Sequence, residues 1–218
     1  MARKFKKSKV SICVFCEGES EQAYIDFLKS EFHDVAVFKR PSSPGLFDDA
    51  DNRFKKDPGY RNYVDAIDEI WFFFDVEEKD IGNWTNRLEI IKRLRKLRKD
   101  PKIRVRLLMT TGCIEYWLML HYRHLAPSLL TVPDKERMLA QVVNMEPTYR
   151  KGNYDATARI AQYYPTAVKN ATIVLQNLLQ EGMPGLEDTD ERNRWLCTKC
   201  KTFSTVQEAI VFLEGLQS

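Results

Sequence analysis

Carboxylate side chains follow two of the most apolar stretches of this sequence. Glu17 comes shortly after KVSICVF at residues 9–15, and Asp75 and Glu77 follow EIWFFF at residues 69–74. Stretches that are apolar at nearly every position are typical of strands buried on both faces of a sheet. Parallel strands deliver their carboxyl ends to one edge of a sheet, which is where ligands bind. We therefore expect the three acids to lie close together at that edge.

These acids have the chemistry of a divalent-metal site. Asp75 and Glu77 are two residues apart, so in an extended backbone their side chains point the same way. Carboxylate oxygens are the ligands that Mg²⁺ and Mn²⁺ prefer, with water and phosphate oxygens completing the coordination. Gly18 allows the backbone after Glu17 to turn sharply or to approach a ligand closely. The alternative is that both groups are acidic caps of the helices that follow them.

A further acid, Glu115, stands in the otherwise largely apolar segment TTGCIEYWLML at residues 110–120. A carboxylate buried at the start of such a helix is costly unless it has a partner. The amino end of the helix offers partial relief, and a metal ion or a basic side chain offers more. Two interpretations remain open: Glu115 lies near a metal, or it forms a structural ion pair with a lysine or arginine.

The elements that must position these acids alternate between strand and helix up to about residue 124. The patterns predict strands at 9–15, 35–38, 69–74 and 102–109, and helices at 21–32, 60–68, 83–99 and 113–122. Segment 40–59 is rich in Pro, Ser, Gly and Asp, which predicts a long loop. The alternation favours an α/β fold with a mostly parallel sheet of about four strands flanked by helices. In the last strand Arg104 and Arg106 alternate with apolar residues, which predicts one wet face near a sheet edge.

Only helical patterns follow residue 134. We therefore predict an α/β core over residues 1–125 and a helical C-terminal extension over residues 126–218 that packs on it. No run approaches the ~18 apolar residues of a membrane span. The basic start, MARKFKKSKV, leads into a strand rather than into a signal-peptide core. The 5 cysteines of the 218-residue chain are then expected to be reduced thiols in a cytoplasmic protein.

Charge is distributed unevenly along a chain of ordinary composition, 44% hydrophobic and 30% charged with a net charge of +3. Basic residues concentrate at 3–9 and 92–106, and acids at 17–21 and 75–80. Lys92, Arg93 and Lys96 lie on the outer face of a predicted amphipathic helix and could follow a phosphate backbone. A solvated polar face is the alternative. Basic stretches beside an acidic cluster suit a metal-assisted reaction on a polyanion.

Two Cys-x-x-Cys pairs, Cys13/Cys16 and Cys197/Cys200, raise the question of a zinc site. Structural zinc requires four converging ligands, and CTKC at residues 197–200 could supply half of such a site. The first pair falls on a predicted buried strand, where odd spacing places the two thiols on opposite faces. This argues against a shared metal and favours cysteines that act as small buried hydrophobic residues.

Three blocks of the sequence, CEGESEQAYIDFL, WFFFDVEEKD and TTGCIEYWLMLHY, resemble in order the signature blocks of the RloB-like proteins. That family is placed in the Toprim superfamily, with the nuclease domain of OLD-type proteins, bacterial primases and topoisomerases. Further segments, YRKGNYDATARI, KNATIVLQ and TFSTVQEAIVFL, resemble the helical tail of the family, so the resemblance extends over most of the chain. It implies a Toprim-like fold with a helical C-terminal extension.

The resemblance also implies roles for the acids. Glu17 corresponds to the Toprim glutamate, which is thought to act in general acid–base work or metal binding. Asp75 and Glu77 correspond to the metal-binding Asp-x-Asp pair, and Glu115 matches the acid of the SNPxFE block. The sequence departs from the family pattern at two places, since the pair here is Asp-x-Glu and TTGCIE replaces SNPxFE. A glutamate is longer but still supplies hard oxygen ligands.

Two other residues are candidates through the same resemblance. His121 matches the histidine of the family block WLLLHF and would line the site, whereas packing or support of the site is the alternative. It could share a helix face with His124, three residues further on. Lys151, in YRKGN, resembles a basic residue of related nuclease sites and would bring a cation to a phosphate.

The function implied is a Mg²⁺- or Mn²⁺-dependent nuclease that hydrolyses phosphodiester bonds of DNA or RNA in bacterial anti-phage defence. The family works beside an ATPase, which must be a separate partner because this sequence has no Walker motif. The alternative is a catalytically weak module that binds a Mg²⁺–nucleotide or a partner protein as a sensor. Primase-type nucleotidyl transfer would need zinc and accessory domains for which 218 residues leave little room. The oligomeric state is left open by the sequence, although an exposed edge near Arg104 and Arg106 would allow pairing.

Overall fold

The computed structural model describes residues 9–199 and 201–217, without the side chains of residues 79 and 80. The basic segment 3–9, apart from its last residue, and Cys200 therefore lie outside the described residues.

Four parallel strands form one sheet in the order β2-β1-β3-β4 within the described chain. They are β1 (Val10–Cys16), β2 (Ala36–Lys39), β3 (Glu69–Val76) and β4 (Arg104–Thr111). All neighbouring strands pair in parallel, which confirms the predicted α/β class and the sheet of about four strands. Cys16 is in register with Phe73, so the chain leaves β1 beside the carboxyl end of β3.

Helices flank the sheet in both halves of the chain. Those of the first half are α1 (Glu19–Glu31), α2 (Phe47–Lys56), α3 (Pro58–Arg61), α4 (Trp84–Arg95) and α5 (Ile114–Leu120). Those of the second half are α6 (Val132–Met145), α7 (Tyr154–Ala161), α8 (Tyr164–Gln180), α9 (Asp190–Thr198) and α10 (Gln207–Gln217). The helices predicted at 21–32, 83–99 and 113–122 are present as α1, α4 and α5, with ends that differ by a few residues.

The two central strands bury alternate side chains on opposite faces of the sheet. Val14 and Phe73 belong to one apolar cluster, which includes residues of α1 and α5. Phe15 and Phe72 belong to a second cluster, which includes residues of α2 and α4. Because both faces are covered, nearly every position of these strands is apolar, as parallel sheets require. The carboxylates at the ends of these strands are therefore attached to elements that are buried on both faces.

The long loop predicted at 40–59 is wrong, because α2 and α3 occupy its second half. Phe47, Ala50 and Phe54 recur at helical spacing and are all buried. The ring of Phe47 stacks on Phe72 with centroids 4.2 Å apart. Burial of this apolar stripe outweighs the turn-forming composition of the flanking residues. The helix predicted at 60–68 is also wrong, since only the end of α3 and a 3₁₀ turn (Val64–Ala66) form there.

The prediction of a solvent-exposed face on β4 is wrong for Arg106, although Arg104 is exposed. Arg106 is buried and donates two hydrogen bonds to Glu69, each 3.0 Å long. Its guanidinium also lies 4.7 Å from the ring centroid of Phe212 in α10. The charge is tolerated inside because its partner is buried with it and both are hydrogen-bonded.

The second half of the chain packs on the sheet and its helices. Ser204 forms an antiparallel bridge with Thr110. On either side of it, the Thr111 N–H donates to the Phe203 carbonyl at 3.0 Å and the Thr205 N–H to the Met109 carbonyl at 2.9 Å. The outer edge of β4 is thus paired at its carboxyl end by the chain itself. None of the described helices has both the length and the apolar character needed to cross a membrane.

Candidate functional site

A cavity of about 270 Å³ opens at the carboxyl edge of the sheet. It lies where β1 and β3 end and where α1 and α5 begin. Five of the residues that line it are acidic and one is basic: Glu17, Glu19, Glu21, Asp75, Glu115 and Lys151. Such a concentration of like charge around one small volume is the dominant physical property of the site.

Glu17 is fixed by the turn between β1 and α1. Its N–H donates to the Phe73 carbonyl at 3.0 Å, which extends the pairing of β1 with β3. Its Oε2 accepts a hydrogen bond of 3.0 Å from the Asp75 N–H. Gly18 then caps α1, and a Cβ at that position would lie 2.9 Å from Glu21 Oε2. A larger residue at position 18 would therefore require the Glu21 carboxylate to move.

Glu21 is not among the candidate residues that the sequence predicts. It lies in the first turn of α1 and is only 4% exposed. Burial raises its pKa to about 7, with further contributions from Glu17 and Glu115, whereas hydrogen bonds to backbone amides act in the opposite direction. The signal was present in the spacing, since Glu21 shares the buried helix face with Tyr24, Ile25 and Leu28. An acid on an otherwise apolar face calls for a partner.

Asp75 is a buried acid of the cavity whose carboxylate is only partly hydrogen-bonded in the described structure. Burial raises its pKa well above the ordinary value, and Glu21, Glu17, Glu115 and Glu77 raise it further in that order. Its Oδ1 is buried and has no hydrogen-bond partner in the described part of the chain. An acceptor in this state normally costs stability, so its retention favours an additional group at this position.

Glu115 lies in the first turn of α5 and is 1% exposed. The hydroxyl of Tyr149 donates to its Oε1 at 3.1 Å, and Lys151 Nζ lies 3.8 Å from the same oxygen. The Lys151 side chain is 65% exposed, so the attraction is weakened by solvent. Glu115 thus has both a place in the cavity and a basic neighbour, which leaves room for either interpretation of its role.

The side chain of Glu77 lies outside the cavity that Asp75 lines. It forms an ion pair with Lys135 of α6 and lines a separate small recess with Val76 and Thr111. It is absent from the residues that line the Asp75 cavity in the described structure. The alternation expected from two-residue spacing is not maintained because β3 ends at Val76, before Glu77.

His121 lies in the core rather than at the cavity surface. It is 2% exposed, and its Nδ1 lies 2.9 Å from the Trp117 carbonyl. Because a carbonyl only accepts, Nδ1 carries the proton and Nε2 accepts from the Tyr24 hydroxyl at 3.1 Å. Burial lowers the pKa of His121 to about 4, so the ring is neutral at pH 7. This placement corresponds to the packing alternative.

The basic candidates of α4 lie away from the cavity. Lys92 pairs with Glu89 at 3.1 Å, and Arg93 pairs with Asp51 at 2.9 Å. Lys96 caps the helix and is exposed. Lys92 and Arg93 have acidic neighbours on a solvated surface, which is the arrangement that the alternative interpretation of this helix describes.

The cysteines described by the structure are buried free thiols: Cys13, Cys16, Cys113 and Cys197. Cys13 and Cys16 belong to different apolar clusters on opposite faces of the sheet. Burial raises the pKa of Cys13 to about 12, so its thiolate is strongly disfavoured.

The donor atoms of the cavity match a hard divalent cation. Every candidate ligand is a carboxylate oxygen, which suits Mg²⁺ and Mn²⁺. The pKa of Asp75 is raised first by burial and then by the neighbouring acids, and a cation beside its unpaired Oδ1 would offset both effects. As they stand, however, no three His, Cys, Asp or Glu side chains among the described residues form a group that could hold a metal ion.

The fold and the cavity together define an α/β protein with a carboxylate cluster at the carboxyl edge of a parallel sheet. The family model described as RloB-like protein matches residues 12–210. The chain therefore belongs to the RloB-like family. A search of curated proteins found no match.

Proposed function

We propose that this chain is a metal-dependent nuclease that hydrolyses phosphodiester bonds with Mg²⁺ or Mn²⁺ at the carboxylate cavity. The observation that carries the proposal is the convergence of Glu17, Glu21, Asp75 and Glu115 around one cavity with the cation of Lys151. Glu17 and Asp75 lie at the ends of β1 and β3, Glu21 and Glu115 lie in the first turns of α1 and α5, and Lys151 belongs to the second half of the chain. Chain segments so distant in sequence have been brought together at the edge where parallel sheets bind ligands.

The charge of the cavity decides which substrates are compatible with it. Among the described residues that line the cavity, Lys151 alone opposes five acids, so a phosphate group would be repelled by the bare cavity. A divalent cation reverses this, because it neutralises carboxylates and attracts phosphate oxygens at the same time. Metal-dependent chemistry on a polyanion is therefore the activity that this electrostatic arrangement supports best.

Glu17, Glu21 and Asp75 are the residues that would hold the cation. When bound, a divalent cation supplies a water of lowered pKa and offsets the charge that develops on the phosphate. Lys151 stands at the exposed rim and would bind a phosphate oxygen of the strand. Tyr149 donates a hydrogen bond to Glu115, and the Lys151 ammonium lies 3.8 Å from the same carboxylate oxygen.

The wider biological role rests on the resemblance of the three sequence blocks. It comprises membership of the Toprim superfamily and a part in bacterial anti-phage defence beside a partner ATPase. The four-stranded parallel sheet is consistent with a Toprim-like fold. The partner would supply the nucleotide-driven step for which this sequence has no motif of its own.

The test is cleavage of supercoiled plasmid, single-stranded DNA and RNA by the purified protein in Mg²⁺, Mn²⁺ or EDTA. We expect metal-dependent cleavage that is lost in Asp75→Asn and Glu21→Gln and retained in Glu31→Gln, an exposed position of the same helix α1. Cleavage that persists in EDTA, or equally in both cavity variants, would contradict the proposal.

A second candidate function is a sensor module that binds a Mg²⁺–nucleotide or a partner protein without efficient cleavage. One observation favours it: Glu77 is engaged by Lys135 rather than by the cavity. Calorimetric titration with Mg²⁺ separates the two candidates when combined with the cleavage assay. Metal binding that requires Asp75, without cleavage of any polymer, would identify the sensor.

A further inference from the structure

The segment between α6 and α7, residues 146–153, brings Lys151 to the carboxylate cavity, and we call it the lysine loop. The ion pair of Lys151 with Glu115 does not fix the lysine side chain. Nζ lies 3.8 Å from Oε1, and the side chain is 65% exposed, so solvent weakens the attraction. The place of the ammonium therefore depends on how the backbone of the lysine loop is held.

Tyr149 attaches the lysine loop to α5, two residues before Lys151. It is 0% exposed, and its hydroxyl donates a hydrogen bond of 3.1 Å to Glu115 Oε1. Its ring belongs to the same apolar cluster as Trp117 of α5. Its N–H donates to the Glu146 carbonyl at 2.9 Å, which closes a turn at the start of the loop. This side of the loop is thus fixed by a buried side chain.

Gly152 attaches the lysine loop to α1, one residue after Lys151. Its N–H donates a hydrogen bond of 3.2 Å to the Oγ of Ser20, which lies in the first turn of α1 and is 6% exposed. Gly152 has a φ of +75°, and a Cβ there would lie 3.0 Å from the Cβ of Glu19. Because the Glu19 Cβ belongs to a helix, it cannot move away alone. A residue other than glycine would therefore be both strained and crowded at this position.

The far end of the lysine loop is attached to α7. Asn153 accepts a hydrogen bond of 2.9 Å from the Ala156 N–H and so caps that helix. The Asn153 N–H donates to the Arg150 carbonyl at 2.9 Å. Arg159 of α7 pairs with Glu146 at 3.1 Å, which joins the two ends of the loop. The backbone of Lys151 is thus held between fixed neighbours on both sides.

We propose that Gly152 is a positioning residue for substrate binding. Its close contact with α1 holds the Lys151 ammonium where a phosphate oxygen of a nucleic-acid strand at the carboxylate cavity would meet it. Gly152 acts through Lys151 and does not contact the strand itself. This inference rests on the proposed function, because it assigns a role in binding the same substrate.

The salt dependence of binding to a single strand is the measurement. Fluorescence anisotropy with labelled oligodeoxythymidine and oligouridine gives the Kd of the full chain with Ca²⁺ in place of Mg²⁺, and gel electrophoresis shows that the strands stay intact. Each phosphate contact to a single strand contributes about 0.7 to the slope of log K against log salt concentration. Lys151→Ala should therefore reduce the slope by about 0.7 and weaken binding about fivefold at low salt.

Gly152→Ala separates position from charge, because the lysine remains in the chain. It should reduce the slope as Lys151→Ala does, whereas Gly182→Ala, at a φ of +98° with nothing within 4 Å, should leave the slope unchanged. Ser20→Ala removes the acceptor of the Gly152 N–H and should reduce the slope by a smaller amount. Lys169→Ala removes an exposed lysine of α8 and should leave the slope unchanged.

A double-mutant cycle decides whether Gly152 acts through Lys151. Gly152→Ala and Ser20→Ala should each weaken binding in the unchanged protein and have no further effect in Lys151→Ala. A general loss of stability would instead weaken binding equally in both backgrounds, which would overturn the inference. If Gly152→Ala does not fold, the cycle with Ser20→Ala decides alone.

The outcomes separate this inference from the nuclease. Cleavage by the unchanged protein, together with an unchanged salt slope in Gly152→Ala, would overturn the role of Gly152 and leave the nuclease standing. Binding of the oligonucleotides without cleavage in Mg²⁺ or Mn²⁺ would contradict the nuclease alone, and the slopes would still decide for or against Gly152. If the unchanged protein binds neither oligonucleotide, both proposals fail.

Discussion

Glu17 and Asp75, which lie 58 residues apart in the sequence, are joined by a hydrogen bond of 3.0 Å from the Asp75 N–H to Glu17 Oε2. The bond uses the backbone of one acid to hold the side chain of the other. It keeps two carboxylates together that would otherwise repel each other. Each acid raises the pKa of its neighbours, and a bound cation would offset this effect.

The first prediction compares Asp75 with Glu77. Asp75→Asn should reduce metal-dependent cleavage by at least about 100-fold, as expected when a preorganised charged group at a reacting centre is removed. Glu77→Gln should reduce it by less than about tenfold, because Glu77 pairs with Lys135 outside the cavity. Cleavage rates at saturating Mg²⁺ check both values. A larger loss for Glu77→Gln would show that Glu77 leaves Lys135 to join the site.

The second prediction concerns the pH dependence due to Glu21. Its pKa is raised from 4.5 to about 7 in the folded protein, so the folded state holds this proton more tightly than the unfolded chain. The contribution of protonated Glu21 to folding stability is fully present below pH 4.5 and is lost as the pH rises through about 7. Glu21→Gln should therefore stabilise the metal-free protein at pH 8 by roughly 1–3 kcal/mol. Denaturant titrations in EDTA at pH 5 and pH 8 measure the difference.

The same titrations in Mg²⁺ provide the control for Glu21. Bound cation should stabilise the unchanged protein at pH 8 and have a smaller effect on Glu21→Gln. Equal stability of the two proteins at both pH values, with and without Mg²⁺, would mean that Glu21 is not charged inside the cavity.

The third prediction concerns His121, whose titration changes the stability of the protein with pH in the opposite direction to that of Glu21. Its pKa is lowered from 6.5 to about 4 in the folded protein, so the unfolded chain binds the proton more tightly. Its contribution to stability is complete above pH 6.5 and is lost as the pH falls through about 4. His121→Gln, which can still accept a hydrogen bond from Tyr24, should remove roughly 1–3 kcal/mol of this acid sensitivity.

Unfolding free energies at pH 7 and pH 4.5 provide the test for His121. His33, which is exposed at the surface, supplies the matched control through His33→Gln. An unchanged pH dependence in His121→Gln would show that His121 is not a buried neutral group.

The fourth prediction concerns the turn between β4 and α5. Gly112 has a φ of +75°, and a Cβ there would lie 2.7 Å from the Leu129 carbonyl oxygen. Gly182 has a φ of +98° but nothing within 4 Å of the added atom. Gly182→Ala should therefore cost about 1 kcal/mol from backbone strain, and Gly112→Ala should cost more because the backbone must also move. Chemical denaturation of the two variants measures both costs. Equal losses would mean that the contact at Leu129 is easily relieved.

The sequence predicts the sheet well because its central strands are apolar at nearly every position. The continuous runs around Val14 and Phe73 leave no choice but burial on both faces. The short helix α2 is harder to predict from the sequence, because Phe47, Ala50 and Phe54 lie among residues typical of turns. Its helical state depends on the stacking of Phe47 on Phe72, which is a tertiary contact that local composition does not report.

The site shows the same division. Topology alone places Glu17 and Asp75 at one edge of the sheet, and the structure shows both in one cavity. The position of Glu77 depends on Lys135, which is 58 residues away and belongs to a helix whose packing the sequence does not specify. Glu21 could have been found, because its helical spacing with Tyr24 and Ile25 places an acid on a buried face.

The pairing of β4 with the segment around Ser204 has a consequence for biosynthesis. Phe203 and Thr111 lie 92 residues apart, yet they share this edge of the sheet. At about 5–20 residues per second, a ribosome adds the second partner many seconds after the first. During that interval the outer edge of β4 has no partner in the nascent chain. A chaperone that covers this edge would protect newly made protein from aggregation.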